Sequence, residues 1–530
     1  MTTISPADLR GLLEGGGELA LVDVREELIY SQRHLLLARS VPLSRFELKF
    51  AQLVPRRDTP IVLCDDDDGL AQRAAAILAR NGYGNLRVLA GGVAAWAAAG
   101  FELFSGVNVP SKAFGEYIEH AEGTPSISAD ELAQLLRDGR DLVVLDSRPF
   151  DEYARVSIPT STNVPGAELV LRASEIAPSA QTTVVVNCAG RTRSIIGAQS
   201  LINAGLPNKV VALRNGTMGW TLAGFICDSG KNRRAPHASA DKLRWAQGAA
   251  WRVAEACGVK RIDPPMLEAW RRDRSRTLYL FDVRDPSEYS GGHFPGAVSV
   301  PGGQLVQATD QYVGTLGARI VLVDDAEVRA AMTASWLRQM GFAEVYVMVA
   351  AGTEKPPPAA PVLDAEIHLE AAIGCTELKA ILSRRAATVV DLSLSRDYLA
   401  RHIPGAWFAI RTRLAQASRK IPGGAPLVLT SEDGVLARLA VAEAAQLRAP
   451  VRFLEGGNAA WAAAGYAFST EAQMADEPVD QWRKPYERTG DIAAAMRDYL
   501  AWETDLLPRI SRDGSLQFDR FRPRLPVKAR

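Results

Sequence analysis

The chain is 530 residues long with 61 Lys and Arg against 61 Asp and Glu, so zero net charge gives no global case for nucleic-acid or membrane binding. Apolar content of 47% is that of an ordinary globular protein, and the length exceeds what one hydrophobic core grows to. The five cysteines (Cys64, Cys188, Cys227, Cys257, Cys375) are few, odd in number and scattered, which argues against a disulfide framework. No CxxC or Cys/His cluster points to a metal, and no cofactor is expected. The opening Met1–Pro6 lacks the basic start and apolar run of a signal peptide, and no stretch approaches a bilayer span, so the expected location is cytoplasmic.

Four similar segments follow one another. Each begins with a helical stretch (Pro6 to Leu13, Ala129 to Leu136, Pro265 to Arg272, Cys375 to Leu382), then an apolar strand closing on Asp23-Val24-Arg25, Asp146-Ser147-Arg148, Asp282-Val283-Arg284 or Asp391-Leu392-Ser393. Seven residues past each Asp stands a tyrosine (Tyr30, Tyr153, Tyr289, Tyr398), and eleven past it His34, Ser157, His293 or His402. A second strand ends 42 residues past the Asp at Asp65, Cys188 and Asp324, and two residues sooner at Ser431. A helix, a third strand and a Gly-Gly…Trp segment close the first, second and fourth copies (Gly91–Trp96, Asn215–Trp220, Gly456–Trp461). The third has only Val349-Ala350-Ala351-Gly352 and no expected closing helix. Repeats of domain size with alternating strands and helices imply an α/β fold, each copy a parallel sheet flanked by helices on both faces.

The expected domains are 1–105, 125–230, 258–353 and 371–469, with a helical and basic tail over 470–530. Residues 106–124 join the first two, and Lys231 to Gly258 joins the halves through a helix around Asp241 to Glu255. Glu354–Pro361 is a Pro-rich, extended linker, the tail carries a helix over Asp491 to Leu506, and its end from Arg509 onward is basic.

Only the second copy has a thiol at the reactive position. The run Val184-Val185-Val186-Asn187 is a buried strand, and Cys188-Ala189-Gly190-Arg191-Thr192-Arg193 is a basic turn entering a helix at Ser194. Backbone N–H groups, a helix N-terminus and two guanidinium groups there favour thiolate and attract anions. Cys188 is therefore the candidate nucleophile, Arg191 and Arg193 the anion contacts, and the backbone through Gly190, Thr192 and Ser194 the cradle. Arg193, at the helix start, is equally open to a structural role. Cys64 aligns with Asn187 rather than Cys188 and is followed by Asp65-Asp66-Asp67-Asp68, which would repel an anionic donor. The repeated Asp recurs in copies without a nucleophile, and the histidines are missing from the one copy with it, so both read as structural.

The Asp-x-Arg strand ends, Gly292-His293-Phe294-Pro295-Gly296-Ala297, Arg401-His402-Ile403-Pro404-Gly405-Ala406, the loop Cys188–Arg193 and the Gly-Gly…Trp closures together resemble the rhodanese family. The resemblance covers residues 4–469, and the arrangement is similar to four-repeat rhodanese-type proteins of bacteria. It implies a sulfurtransferase working through a cysteine persulfide, with thiosulfate or 3-mercaptopyruvate as donor and cyanide or a thiol as acceptor. Related phosphatases of this fold carry Cys-x5-Arg, whereas Cys188 to Arg193 is the shorter Cys-x4-Arg, suited to sulfur. The basic loop favours the thiosulfate dianion, while Ile158-Pro159-Thr160-Ser161-Thr162, where sibling copies keep Pro-Gly-Ala, leaves the donor open. Three copies without the thiol also leave open a non-turnover sulfur carrier or protein-binding scaffold, with a protein as sulfur acceptor. Two-domain relatives imply that the first copy packs on the second and the third on the fourth.

Overall fold

A computed structural model describes residues 2–350, 352–355, 357–447 and 450–521. The second repeat shows why its strands lie where they do. The Val-rich segments Leu142–Asp146, Thr183–Asn187 and Val210–Leu213 are buried along most of their length, as strands covered on both faces must be. They pair in parallel, flanked by the short strands Ser126–Ile127 and Thr162–Asn163, with Asp146 in register with Asn187. Cys188 thus lies one residue beyond the C-terminal edge of the central strand, where ligands meet open parallel sheets. The same strand order recurs in the other three repeats, and the fourth adds an edge strand, Gln473–Met474.

The Asp-x-Arg ends are internal clamps. Arg25, Arg148 and Arg284 each grip the Asp two residues before them through Nε and Nη2, with both partners buried. In the fourth repeat, where the arginine is replaced by Ser393, Asn458 donates to Asp391 at 2.9 Å. Each repeated tyrosine donates its hydroxyl to a carbonyl eight residues on. His34, His293 and His402 stack on those tyrosines at 4.0–4.3 Å, buried away from any loop chemistry.

The repeats pair differently from the sequence expectation. One compact unit gathers the first and fourth repeats (residues up to 9, 20–107 and 360–482). The other gathers the second and third with the tail (10–19, 108–359 and from 483 onward). In the first unit Arg411 makes a bidentate pair with buried Glu47, at 2.8 and 3.0 Å, and Arg45 reaches Glu432. In the second, Trp336 Nε1 donates to Ser200 Oγ at 2.9 Å and Arg329 pairs with Glu168. There Gly303 packs against the Gly166 backbone so closely that a Cβ would lie 3.1 Å from its nitrogen. Helix faces rich in Ala, Gly and Ser let these two repeats share one core, which contains Ile195, Ile196, Leu201, Leu322, Met332 and Trp336. Removing either partner of the Arg411–Glu47 pair would leave the other charge buried and unpaired.

The segment joining the first two repeats is not merely a connector. Val109–Glu122 is a helix with Pro110 in its first turn, and it packs on the helix Thr192–Ala204 that follows the Cys188 loop. The helix expected around Asp241 to Glu255 spans Ala240–Ala256, and the tail helix spans Ile492–Asp513. Among the described residues no helix closes the third repeat. Of the basic end beginning at Arg509, residues 522–530 lie outside the described residues. No helix among the described residues is long and apolar enough to cross a membrane.

Candidate active site

Cys188 is 2% exposed, and its thiol donates to Ser194 Oγ at 3.5 Å. Ser194 Oγ in turn donates to the Arg191 carbonyl at 2.8 Å, which ties the loop across its mouth. From the other side, Thr217 N donates to the Cys188 carbonyl at 2.9 Å and Met218 N to that of Ala189 at 3.0 Å. That approach requires Gly216. Its φ is +54°, and a Cβ would overlap the Cys188 carbonyl oxygen.

The sister copies show which side chains occupy the same loop position and what they accept from. At the position of Cys188 the first repeat has Asp65, whose carboxylate accepts from Asp67 N at 3.0 Å and Ala71 N at 2.9 Å. The third has Asp324, accepting from Ala326 N, Arg329 N and Ala330 N at 3.1, 2.8 and 3.3 Å. In the fourth, Ser431 Oγ accepts from Ala437 N at 3.3 Å. Strand, loop and helix therefore build an anion cradle of backbone amides, which the first and third copies fill with their own carboxylate. The equivalent amides in the second copy belong to Gly190, Arg193 and Ser194. That of Ser194 is also engaged with the Arg191 carbonyl at 3.1 Å.

The two loop arginines separate. Arg191 turns away from the sulfur and makes a bidentate pair with Glu116 at 2.6 and 2.7 Å. It also reaches Glu119, and Asn215 at 3.2 Å. Its guanidinium anchors the loop to the helix Val109–Glu122. Arg193 is paired with Glu152 at 2.9 Å and faces Gln304 at 3.4 Å. Burial alone would push its pKa down, but Glu152 and the Cys188 sulfur more than offset that and hold it up. In the third copy Arg329, the counterpart of Arg193, pairs with Glu288 as Arg193 pairs with Glu152, and its Nε also donates to Asp324 at 3.0 Å. An arginine in this position thus reaches an anion seated in the cradle.

Sequence reasoning missed the groups that close the site. The tail helix packs Met496 and Leu500 against Ala189 and Met218. Buried Glu503 accepts from Thr192 Oγ1 at 3.3 Å and from Tyr499 Oη at 3.2 Å. Lys112 lies 3.9 Å from Glu503 and donates to Gln307 at 3.0 Å; burial lowers its pKa, with Glu503 opposing. Lys484, from the segment before the tail helix, reaches Glu152 at 3.2 Å. The apolar spacing Met496, Leu500, Leu506, Ile510 was a legible helical face. What it covers was not. Cys64 is fully buried at a strand end, and burial followed by Asp23 raises its thiol pKa well above the usual range. All five cysteines are free, and no group of three or more potential metal ligands exists among the described residues.

A thiol on a basic strand–helix loop, set at the edge of a parallel sheet repeated four times, defines a class of sulfur-transferring domains. Residues 5–99, 128–223, 265–352 and 375–464 match the family model of the rhodanese-like domain, and the chain belongs to the rhodanese family as a rhodanese-type sulfurtransferase. A crystal structure of a thiosulfate sulfurtransferase from Pseudomonas aeruginosa is 46% identical, with a TM-score of 0.95, over 98% of this chain and 100% of that one. In Bacillus subtilis, the uncharacterized protein YqhL is 33% identical over 94 residues, 18% of this chain and 73% of its own length. YrkF of the same organism is 28% identical over 103 residues, 19% of this chain, and the chain spans about half of its length (54%).

Proposed function

We propose that the chain moves sulfane sulfur from thiosulfate to cyanide or a thiol through a persulfide on Cys188. The observation that carries this reading is the carboxylate of Asp324 seated in a loop whose second-repeat counterpart offers the same amides and the same arginine to an external anion. The donor dianion sits with its oxyanion end on Arg193 and the amides of Gly190 and Arg193, its sulfane sulfur against Cys188 Sγ. The thiolate attacks that sulfur, the S–S bond breaks, and its electron pair leaves with sulfite. The acceptor then attacks the outer sulfur of the persulfide and frees the thiolate, a double displacement. Ser194 holds the thiol in place, Thr192 links the loop to the tail helix, and Arg191 braces the loop against Glu116 and Glu119. A cytoplasmic setting, where cysteines stay reduced, suits five free thiols.

Thiocyanate formation from thiosulfate and cyanide, followed over many turnovers, tests the reading. Sustained turnover, faster than with 3-mercaptopyruvate, is expected. Faster turnover with 3-mercaptopyruvate would replace the donor, and arrest after one sulfur per chain would make the protein a carrier.

A further inference from the structure

Glu503 is a carboxylic acid brought to the reactive loop by a helix outside the four repeats. One of its oxygens, Oε1, is satisfied by Thr192 Oγ1 and Tyr499 Oη. The other, Oε2, is buried and has no hydrogen-bond partner among the described residues. It lies above Gly190, 3.2 Å from where a Cβ on that residue would be, on the loop that carries Cys188. A buried carboxylate oxygen without a partner is costly to keep unless something fills the place. The charged groups around it are Lys112 and Glu116 from the helix Val109–Glu122 and Arg191 from the loop, with the neutral phenol of Tyr499 on its own helix. The Cys188 sulfur is near enough to act electrostatically on both Lys112 and Tyr499.

We propose that Glu503 is the catalytic acid and base of sulfur transfer, giving its proton to the departing sulfite and regaining it from the acceptor. The proposal rests on thiosulfate being the donor. As the S–S bond breaks, the electron pair stays with sulfite, and the Glu503 proton passes to a sulfite oxygen to leave bisulfite. The Glu503 carboxylate then takes the proton of the incoming thiol or hydrogen cyanide. The freed thiolate or cyanide attacks the outer persulfide sulfur, and Cys188 departs as thiolate. Summed over both halves, one proton moves from acceptor to sulfite, so no further reactant is needed. Burial raises the pKa of Glu503 against the opposing charge of Lys112, which keeps a proton available nearer to neutral pH. Lys112, held by Gln307, stands beside the same carboxylate and limits that rise.

The test compares two donors on the full chain. Sulfite is a base that benefits from a proton as it leaves, whereas the sulfinate released by an aryl thiosulfonate is a much weaker base. Glu503→Gln is expected to slow single-turnover loading of Cys188 by thiosulfate roughly a hundredfold. It should also abolish the fall in loading rate as pH rises, while loading by benzenethiosulfonate stays within about twofold of the parent, the range expected when no proton transfer is lost. Equal losses with both donors, including loss through misfolding, would overturn the proposal by making Glu503 structural. Unchanged thiosulfate loading would overturn it as well. A parent protein that loads with benzenethiosulfonate but not with thiosulfate would instead sink the donor assignment, and the proposal with it.

Discussion

Arg329 Nε donates to Asp324 Oδ1 at 3.0 Å, and these two residues stand in the third repeat where Arg193 and Cys188 stand in the second. Burial pushes the Asp324 carboxyl up to about 6, against the pull of Arg329, so this copy holds its own anion in a costly but satisfied site. The second repeat keeps the arginine and the amides and replaces the anion with a thiol.

A cradle without a carboxylate of its own should bind dianions from solution. Thiosulfate and sulfate should raise the melting temperature of the unit holding Cys188, because a ligand bound only by the native state stabilises it by mass action. Cys188→Asp should supply the anion internally, abolish sulfur loading and remove most of that response. Scanning calorimetry with and without sulfate decides it; an unaltered response in Cys188→Asp would place the anion elsewhere.

Arg193 and Arg191 should respond differently to removal. Arg193→Ala should raise the thiosulfate KM by tenfold or more, in line with losing one charge-assisted contact of about 1.5–3 kcal/mol. Arg191→Ala strands Glu116, which is 1% exposed, and should cost about 3 kcal/mol of stability. Denaturant melts beside steady-state kinetics separate the two, and a KM effect confined to Arg191→Ala would reverse the assignment.

Gly216→Ala forces a Cβ against the Cys188 carbonyl at positive φ and should lose both activity and stability. Gly92 makes the same approach to the Asp65 carbonyl in the first repeat. Gly92→Ala should therefore lower the melting temperature of its own unit and leave sulfur transfer nearly intact. Matched effects of the two changes on activity would argue against a single reactive loop.

Glu26 supplies a pH signature in the unit that lacks Cys188. It accepts from Ser44 at 2.9 Å and Thr412 at 3.0 Å, yet burial raises its carboxyl to about 7, helped by Asp480 and opposed by Arg413. Its protonated form is the one the fold prefers. Stability is therefore full below the unfolded value near 4.5, falls as pH rises, and levels off above about 7. Glu26→Gln should flatten that slope and raise the melting temperature of this unit at pH 8; an unchanged slope would show that Glu26 is ionised throughout.

How much of this was legible beforehand follows from how local each cause is. Strand ends, the Asp-x-Arg clamps, the structural histidines and the strand–loop–helix around Cys188 are set by neighbours within about one repeat, and residue spacing displays them. The pairing of the second repeat with the third depends on small residues such as Gly166, Ser200 and Gly303 meeting across two helical faces, and small residues carry no sign of a partner in sequence. The helix Val109–Glu122 lies within residues 106–124, whose Pro110 and Gly115 interrupt a helical pattern in sequence. Pro110 in fact sits in the first turn of the helix, where its missing N–H costs nothing, and a Cβ on Gly115 would lie 3.0 Å from Thr192. The pairing of Arg191 with Glu116 and Glu119 was not legible either, because both carboxylates lie on that unrecognised helix.

The most direct measurement is intact-mass and peptide mass spectrometry after thiosulfate, then after cyanide, on the parent chain and on Cys188→Ser. A gain of one sulfur, ~32 Da, on the Cys188 peptide of the parent, removed by cyanide and missing from Cys188→Ser, is the predicted result. A gain that persists in Cys188→Ser, or that maps to Cys64 or another cysteine, would contradict the assignment of the reactive loop.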